Sequence, residues 1–238
     1  MKIKKRYGKH GGYLPHCVDR DIIRRIKKEE ANNPEYYIRV DDKFFILNEA
    51  LITDSYKYIG FFIYGISLLY IIGRFSINKE IGFGFSFLII LAGSLSIFYY
   101  HNHPKKELIL DRMNGMITFP NYFYFKPFTM PFEDCLVAWS VKNSGASPTA
   151  PRLSLLHPNG FTSTDVMGAD ILEDWCFMNW YMDKNRPLPP GTAFDEYRLQ
   201  DFERRKAEGF PKPLFPGTFH TPERTPSQHR QRKEIGGW

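Results

Sequence analysis

Two long runs of the chain contain no charged side chain. The first run is Tyr58 to Gly73 and the second is Ile81 to Tyr100, with Lys57, Arg74 and Glu80 at their boundaries. Neither run has a polar stripe at helical period, and as helices they would extend for ~24 and ~30 Å. A bilayer's hydrocarbon core is about 30 Å thick. The pattern predicts a transmembrane hairpin over residues 57–103, with spans at about 58–77 and 81–100. The alternative is a pair of buried core helices.

The charges beside the two runs predict how such a hairpin is oriented. An excess of Lys and Arg precedes the first run, and Lys105 and Lys106 follow the second, whereas the short loop carries Arg74 and Lys79. Basic residues near membrane ends stay cytoplasmic. The expectation is a multi-pass protein of the bacterial inner membrane with both termini in the cytoplasm.

Residues 1–56 are interpreted as a juxtamembrane arm. Residues 19–30, DRDIIRRIKKEE, have the pattern of a short helix with isoleucines on one face. The side chains expected at a membrane surface are basic: Arg24, Arg25, Lys27, Lys28, Lys105 and Lys106. Such a helix rests on anionic lipid headgroups or packs on its own domain with a solvated charged face, and the pattern leaves both open. After it, YYIRV and KFFIL flank Asp41-Asp42 and predict a β-hairpin.

Residues 104–190 change to the pattern of an antiparallel β domain. ELILDR and MITF flank Asn114-Gly115, which predicts a hairpin with a type I′ turn. RLSLLH and FTSTDV flank a second turn signal, and CLVAWSVK alternates as a strand that contains Trp139. Short antiparallel strands followed by one amphipathic helix have the element order of a pleckstrin-homology-like (PH-like) domain. The predicted fold class is an α+β membrane protein: a two-helix hairpin, then a small PH-like β domain capped by a C-terminal helix.

The closing helix is predicted over residues 169–183. Ile171, Trp175 and Met178 fall on one stripe of it, and with Trp139 they are the expected core. From residue 191 to residue 238 the chain is rich in proline and basic residues. A short helix is plausible around 194–207, and an extended or partly disordered tail is expected after Gly209.

Composition limits the chemistry. The chain has 238 residues, a formal charge of +6 and three widely separated cysteines, so neither a disulfide framework nor a zinc motif is indicated. His101-Asn102-His103 is too short to be a nuclease motif, and no nucleophile or metalloprotease motif occurs. No catalytic residue, metal ligand or cofactor is therefore predicted. Residues 101–197 carry 8 basic and 11 acidic side chains, which disfavours nucleic acid as a ligand.

Several segments resemble a family of two-span bacterial inner-membrane proteins with a PH-like cytosolic domain. They are DRMNGMITF (111–119), MPFEDCLVAW (130–139), EDWCFMNWYMDKNRPLPPG (173–191) and FDEYRLQDFERRKAEGFPKPLFP (194–216). The family is often associated with type VI secretion genes. The resemblance implies an immunity or accessory role, with a secreted effector as the partner.

Taken together, the sequence favours a non-enzymatic membrane protein whose cytosolic β domain binds a protein partner. One alternative is an accessory protein that senses the charge of a lipid surface through its basic arm and tail. A second is a membrane-bound enzyme, which would require a cluster of buried titratable groups in a cleft.

Overall fold

A computed structural model gives the fold of the chain. It describes residues 12–14, 16, 18, 24–48, 51–76, 83–102, 107–121, 125–140, 143–144, 147–148, 152–156, 163–166, 171–217 and 221–238. The strands are β1 (Gly12–Leu14), β2 (Tyr37–Val40), β3 (Phe44–Asn48), β4 (Glu107–Asp111), β5 (Met116–Phe119), β6 (Phe128–Pro131), β7 (Leu136–Ser140), β8 (Asn143–Ser144), β9 (Ser147–Pro148), β10 (Arg152–Leu156) and β11 (Ser163–Val166). The helices are α1 (Lys28–Ala31), α2 (Leu51–Ser76), α3 (Phe83–Asn102), α4 (Ile171–Met182), α5 (Arg198–Ala207) and α6 (Pro226–Gly236).

The chain divides into two compact units. The larger unit holds residues Met1–Leu47, Ile109–Phe119 and Phe128–Trp238, and the smaller holds Asn48–Leu108 and Pro120–Pro127. The larger unit contains the mixed α and β structure, and the smaller is mainly the α2–α3 hairpin.

The five-stranded sheet has the order β2-β3-β4-β5-β6. Its strands alternate between buried and partly exposed side chains, as in β4, where Leu108 and Leu110 are buried. The turn between β4 and β5 is a four-residue loop in which Gly115 alone has positive φ, at 66°. The predicted type I′ turn is therefore wrong, because that turn needs positive φ at both central residues. Asp111 holds the loop by accepting hydrogen bonds from the backbone and side chain of Asn114.

A second sheet has four strands in the order β1-β7-β10-β11, all antiparallel. In it Trp139 pairs with Gly12 on one side and Leu153 on the other. The side chains of Trp139 and Ile171 lie outside the described part of the structure. Strands β1 to β3 precede the helical hairpin in sequence, so both sheets use residues of the predicted arm and not only of segment 104–190.

Helix α4 forms the centre of the larger unit. Every residue from Asp174 to Met182 is buried, because this helix is apolar on nearly all of its faces. Two of the expected core residues, Trp175 and Met178, are among them. The rings of Phe177 and Tyr181 lie 5.1 and 5.5 Å from the ring of Phe45 in β3, so the helix packs on the five-stranded sheet through aromatic contacts.

The C-terminal segment is folded onto this core where it is described. The buried carboxylate of Asp183 accepts hydrogen bonds from the backbone N–H groups of Leu214 and Phe215, at 3.0 and 3.2 Å. Helix α6 begins with a capping box formed by Thr225 and Gln228. The chain therefore differs from the expected extended tail, because buried polar contacts fix residues that have no apolar periodicity.

The N-terminal part of the larger unit also differs from the prediction. Within the described part of the predicted helix, residues 24–30, the helix begins at Lys28 and continues to Ala31, and residues 24–27 are not helical. Lys27 has ψ of 155°, which is extended backbone. Residues 19–23 of the expected helix are outside the described residues.

The smaller unit is an antiparallel pair of helices. Gly60 and Gly93 let α2 and α3 approach closely, since a Cβ on Gly60 would lie 3.2 Å from the carbonyl oxygen of Gly93. The hydroxyl groups of Tyr64 and Ser94 form a hydrogen bond of 2.6 Å between the two helices. Large apolar side chains of both helices are exposed on their outer faces, among them Phe62, Leu69, Phe87 and Phe98.

These helices do not meet the requirement for a membrane span. Within the described part of the chain, no helix is both long enough and apolar enough to cross a membrane. The predicted transmembrane hairpin, the membrane part of the fold class and the multi-pass inner-membrane location are therefore wrong.

Candidate functional site

A cleft of about 500 Å³ lies in the larger unit, between the N-terminal residues and the C-terminal helices. Apolar side chains around Trp180 and Leu188 form part of its wall, and charged side chains form most of the rest. The full lining consists of Arg25, Lys27, Trp180, Pro187, Leu188, Pro190, Gly191, Thr192, Asp195, Arg198, Asp201, Arg205, Pro222, Glu223, Arg224 and Gln228. It therefore combines an apolar surface with a high density of charge.

The wall between residues 187 and 198 is held by two side chains that donate to backbone carbonyls. The indole N–H of Trp180 donates to the carbonyl of Pro187 at 2.7 Å. The guanidinium of Arg198 donates to the carbonyls of Leu188, Pro189 and Gly191 at 2.7 to 2.9 Å. These contacts fix the proline-rich turn at residues 187–191, which precedes a 3-10 helix at Thr192–Phe194, so this side of the cleft is preformed.

A second wall comes from residues 24–28, which we call the docking segment. Ile26 is buried, and its carbonyl accepts a hydrogen bond from the backbone N–H of Ala193 at 3.2 Å. The side chains before and after it, Arg25 and Lys27, are exposed and line the cleft. An extended backbone places alternate side chains on opposite sides, which explains this arrangement.

The first and last residues of the docking segment form ion pairs with acidic residues that do not line the cleft. Arg24 donates to the carboxylate of Asp174 at 3.0 Å and also pairs with Glu30. Lys28 pairs with Glu196. Residues 24–27 therefore do not form the basic helix that the lipid-surface alternative expected, and two of the four basic side chains of the docking segment already have acidic partners.

Part of the cleft lining belongs to a group of buried ion pairs. The carboxylate of Glu223 accepts two hydrogen bonds from Arg205, at 2.7 and 2.8 Å, and one from Arg232, at 3.0 Å. Asp201 accepts from Arg205 at 2.9 Å and from Arg112 at 2.5 Å. Each of these five side chains is at most 2% exposed, so the pairs are shielded from water.

Arg112 has a partner for each of its nitrogens. In addition to Asp201, it donates to the carbonyls of Tyr181 and Arg186 at 2.8 and 2.7 Å. Arg112 follows β4, Tyr181 lies in α4 and Asp201 lies in α5. One guanidinium thus connects the five-stranded sheet to two helices.

The ion pairs set the protonation states at the cleft. Burial alone would raise the pKa of Asp201, but Arg112 and Arg205 outweigh it and hold that pKa below its usual value. Burial would lower the pKa of Arg205, but the carboxylates of Glu223 and Asp201 raise it. Both groups therefore stay charged at neutral pH.

The charges that remain without a partner are positive. The three carboxylates of the lining, Asp195, Asp201 and Glu223, all pair with arginines. Three cations of the lining, by contrast, have no acidic partner among the described residues. We call them the cleft cations: Arg25, Lys27 and Arg224. The field inside the cleft therefore favours an anion.

Catalytic chemistry has little support in this arrangement. The buried titratable groups that the enzyme alternative required do occur here, as Asp201 and Glu223. Asp201 accepts from three guanidinium groups and Glu223 from two. The arginines lower the pKa of Asp201, which makes this carboxylate a poor proton donor or acceptor near neutral pH. The lining contains no histidine or cysteine, and the described residues hold no cluster of potential metal ligands.

Sequence reasoning did not predict this cleft. Arg25 and Lys27 were predicted to lie at a membrane surface, and the structure places both in the cleft lining, whereas Lys105 and Lys106 lie outside the described residues. Arg224 and the buried pairs around Glu223 were missed, because nothing in the sequence distinguishes a buried arginine from a solvated one. Thr225 and Gln228, which are spaced as a capping box, were the available signal that this part of the tail is ordered.

Comparisons of the chain with known protein families, with curated proteins and with solved structures give no match.

Proposed function

We propose that this chain is a non-enzymatic protein-binding protein, and that its cleft receives an acidic segment of a partner protein. The observation that carries the proposal is the set of cleft cations, Arg25, Lys27 and Arg224, which have no acidic partner among the described residues although every carboxylate of the lining is paired.

The mixture of charge and apolar surface is suited to a peptide segment. Trp180 and the nearby prolines offer apolar contact, while the cations attract carboxylates. Nucleic-acid ligands are less well suited, because their binding depends on many phosphate contacts along an extended basic surface. Three cations in a cleft of about 500 Å³ fit a few acidic side chains.

The identity of the partner follows only from the sequence resemblance. That resemblance suggests a secreted effector of a type VI system, which the chain would neutralise or accompany. An immunity protein must bind its effector tightly, and complementary charge increases both the rate and the specificity of such binding.

A binding titration with a labelled peptide tests the proposal. The probe is a fluorescent peptide rich in glutamate and aromatic residues, and its matched control has glutamine in place of glutamate. The intact chain should bind the acidic peptide, and this binding should weaken as the salt concentration rises. Replacing the cleft cations together, as R25Q/K27Q/R224Q, should weaken it by about tenfold or more.

The matched control variant is K206Q/K212Q/K233Q. It removes the same amount of charge from exposed positions that do not line the cleft. It should bind the acidic peptide within about twofold of the unchanged chain. Equal losses in the two variants would show that net charge and not the cleft governs binding. No preference of the unchanged chain for the acidic peptide would refute the proposal.

A further inference from the structure

We infer that the cleft becomes competent to bind its acidic ligand only when the docking segment (residues 24–28) is seated against the turn at 191–193, and that Gly191 is the positioning residue for that contact. This inference rests on the function proposed above. It assigns to the N-terminal segment the control of the site, because the segment brings binding groups to the cleft that the remainder of the unit lacks.

The docking segment supplies two of the three cleft cations. Arg25 and Lys27 both belong to it, and only Arg224 comes from elsewhere in the chain. The positions of these two side chains depend on the residue between them. Ile26 is 1% exposed, so burial of its side chain fixes the direction of both neighbours.

In addition to the Lys28–Glu196 ion pair, three hydrogen bonds hold the segment in place, and none of these contacts involves a cleft cation. The carbonyl of Ile26 accepts from the backbone N–H of Ala193, and the backbone N–H of Lys28 donates to the hydroxyl of Thr192 at 2.9 Å. The side chain of Arg24 donates to Asp174 at 3.0 Å. The groups that hold the docking segment in place are thus different from the cations that bind the ligand. A substitution can therefore change one set of groups and leave the other set intact.

Gly191 is the point at which the two backbones meet. A Cβ at this position would lie 2.4 Å from the carbonyl oxygen of Ile26 and 2.8 Å from its nitrogen. These atoms are backbone, so they cannot rotate away as a flexible side chain could. The φ of Gly191 is +130°, which L-residues rarely adopt. Any residue other than glycine would therefore push the docking segment out of its seat.

The same coupling must act in the opposite direction. If a seated segment increases the affinity for the ligand, then bound ligand must hold the segment in its seat by the same factor. Occupation of the cleft is therefore expected to slow hydrogen exchange in residues 24–28. An unseated segment would leave Arg224 as the remaining cleft cation and would open one side of the cleft.

The test compares Gly191→Ala with Gly115→Ala in the full-length chain. Gly115 also has positive φ, at 66°, but a Cβ there meets nothing within 4 Å, so it is a glycine of positive φ whose replacement causes no collision. Hydrogen exchange reports whether residues 24–28 are seated, and the fluorescent Glu-rich peptide reports binding. Far-ultraviolet circular dichroism confirms that each variant is folded.

Gly191→Ala should accelerate exchange in residues 24–28 and should weaken peptide binding by about tenfold, to the level of R25Q/K27Q. Gly115→Ala should change neither. If Gly191→Ala does not fold, Arg24→Gln takes its place, since it removes a seating contact and no charge of the lining. It should produce the same two changes to a smaller extent.

The outcomes separate this inference from the proposed function. Faster exchange in Gly191→Ala together with unchanged peptide affinity would overturn the inference and leave the proposed function intact. Unchanged exchange in a folded Gly191→Ala would also overturn it, because the segment would not depend on the glycine. Failure of the unchanged chain to bind the Glu-rich peptide would refute the proposed function, and this inference with it.

Discussion

Arg205 and Glu223 form a two-point ion pair in the interior of the protein. Both side chains are at most 2% exposed, and the two guanidinium nitrogens donate to the two carboxylate oxygens at 2.7 and 2.8 Å. The residues are 18 positions apart, so the pair fastens the segment after α5 to the helix itself. Glu223 also accepts from Arg232 in α6, so this carboxylate connects the two C-terminal helices.

Replacing Glu223 by glutamine should strongly destabilise the protein. The change leaves Arg205 and Arg232 buried with insufficient negative charge, and breaking a buried pair in this way costs about 3–5 kcal/mol. Urea unfolding measures the free energy. The matched control is Glu208→Gln, since Glu208 also pairs with an arginine but is exposed, and this change should cost less than about 1 kcal/mol. Similar losses in both variants would contradict a buried network.

His16 should make the stability depend on pH near neutrality. Burial lowers the pKa of His16 below 6.5, although its hydrogen bond to the carbonyl of Phe132 and the charge of Glu133 oppose the effect. As the pH falls below 6.5, the unfolded chain takes up the proton first. The free energy of unfolding therefore decreases until the pH reaches the lowered pKa of the folded state.

His16→Phe should remove this dependence, because phenylalanine cannot titrate and still stacks on Phe215, whose ring lies 5.2 Å away. Other groups titrate alike in both proteins. The difference in unfolding free energy between the unchanged chain and the variant should therefore shift as the pH falls from about 7.5 to about 5.5. A constant difference over this range would show that His16 titrates identically in the folded and unfolded states.

The last residue of the chain should contribute to stability. The indole N–H of Trp238 donates to the carbonyl of Phe210 at 2.8 Å, and the guanidinium carbon of Arg232 lies 4.2 Å from the centre of its ring. Trp238→Ala should cost about 1–2 kcal/mol in thermal or urea unfolding. Ile235→Ala is the control: Ile235 is exposed and nearby, so its replacement should change stability by less than about 0.5 kcal/mol. A neutral Trp238→Ala would mean that the C-terminus does not pack.

The buried thiols should be unreactive in the folded protein. Burial raises the pKa of Cys135 to about 12, and only the thiolate reacts readily with thiol reagents. Cys176 is buried as well. The test uses a Cys17→Ser variant, so that only Cys135 and Cys176 remain. A colorimetric thiol reagent should react slowly with this variant under native conditions and should react rapidly with both thiols in denaturant. Rapid reaction without denaturant would contradict the burial of these residues.

Local signals in the sequence were sufficient to predict three of the antiparallel strand pairs. YYIRV and KFFIL form β2 and β3, the segments around Asn114 form β4 and β5, and RLSLLH and FTSTDV form β10 and β11. In each case the two strands are close neighbours in sequence, so the pairing requires no knowledge of distant contacts. The helix expected at 169–183 occurs at Ile171–Met182 for the same reason.

Contacts between distant residues could not be predicted in this way. Arg112 and Asp201 are 89 residues apart, and neither position carries a signal that it is buried. The predicted helix at 19–30 is replaced near Ile26 by an extended segment, because its backbone bonds to Ala193, far away in sequence. Tertiary contacts override helical propensity here. The uncharged runs at 58–73 and 81–100 indicated helices correctly but did not establish a membrane span.

The most direct test of the binding cleft is an exchange of charge between the cleft and its ligand. In the variant R25E/K27E/R224E the cleft cations become anions. This variant should lose binding of the Glu-rich fluorescent peptide and should gain binding of a Lys-rich peptide of the same length, with a similar dependence on salt. If the folded variant binds both peptides as the unchanged chain does, the cleft is not the site of recognition.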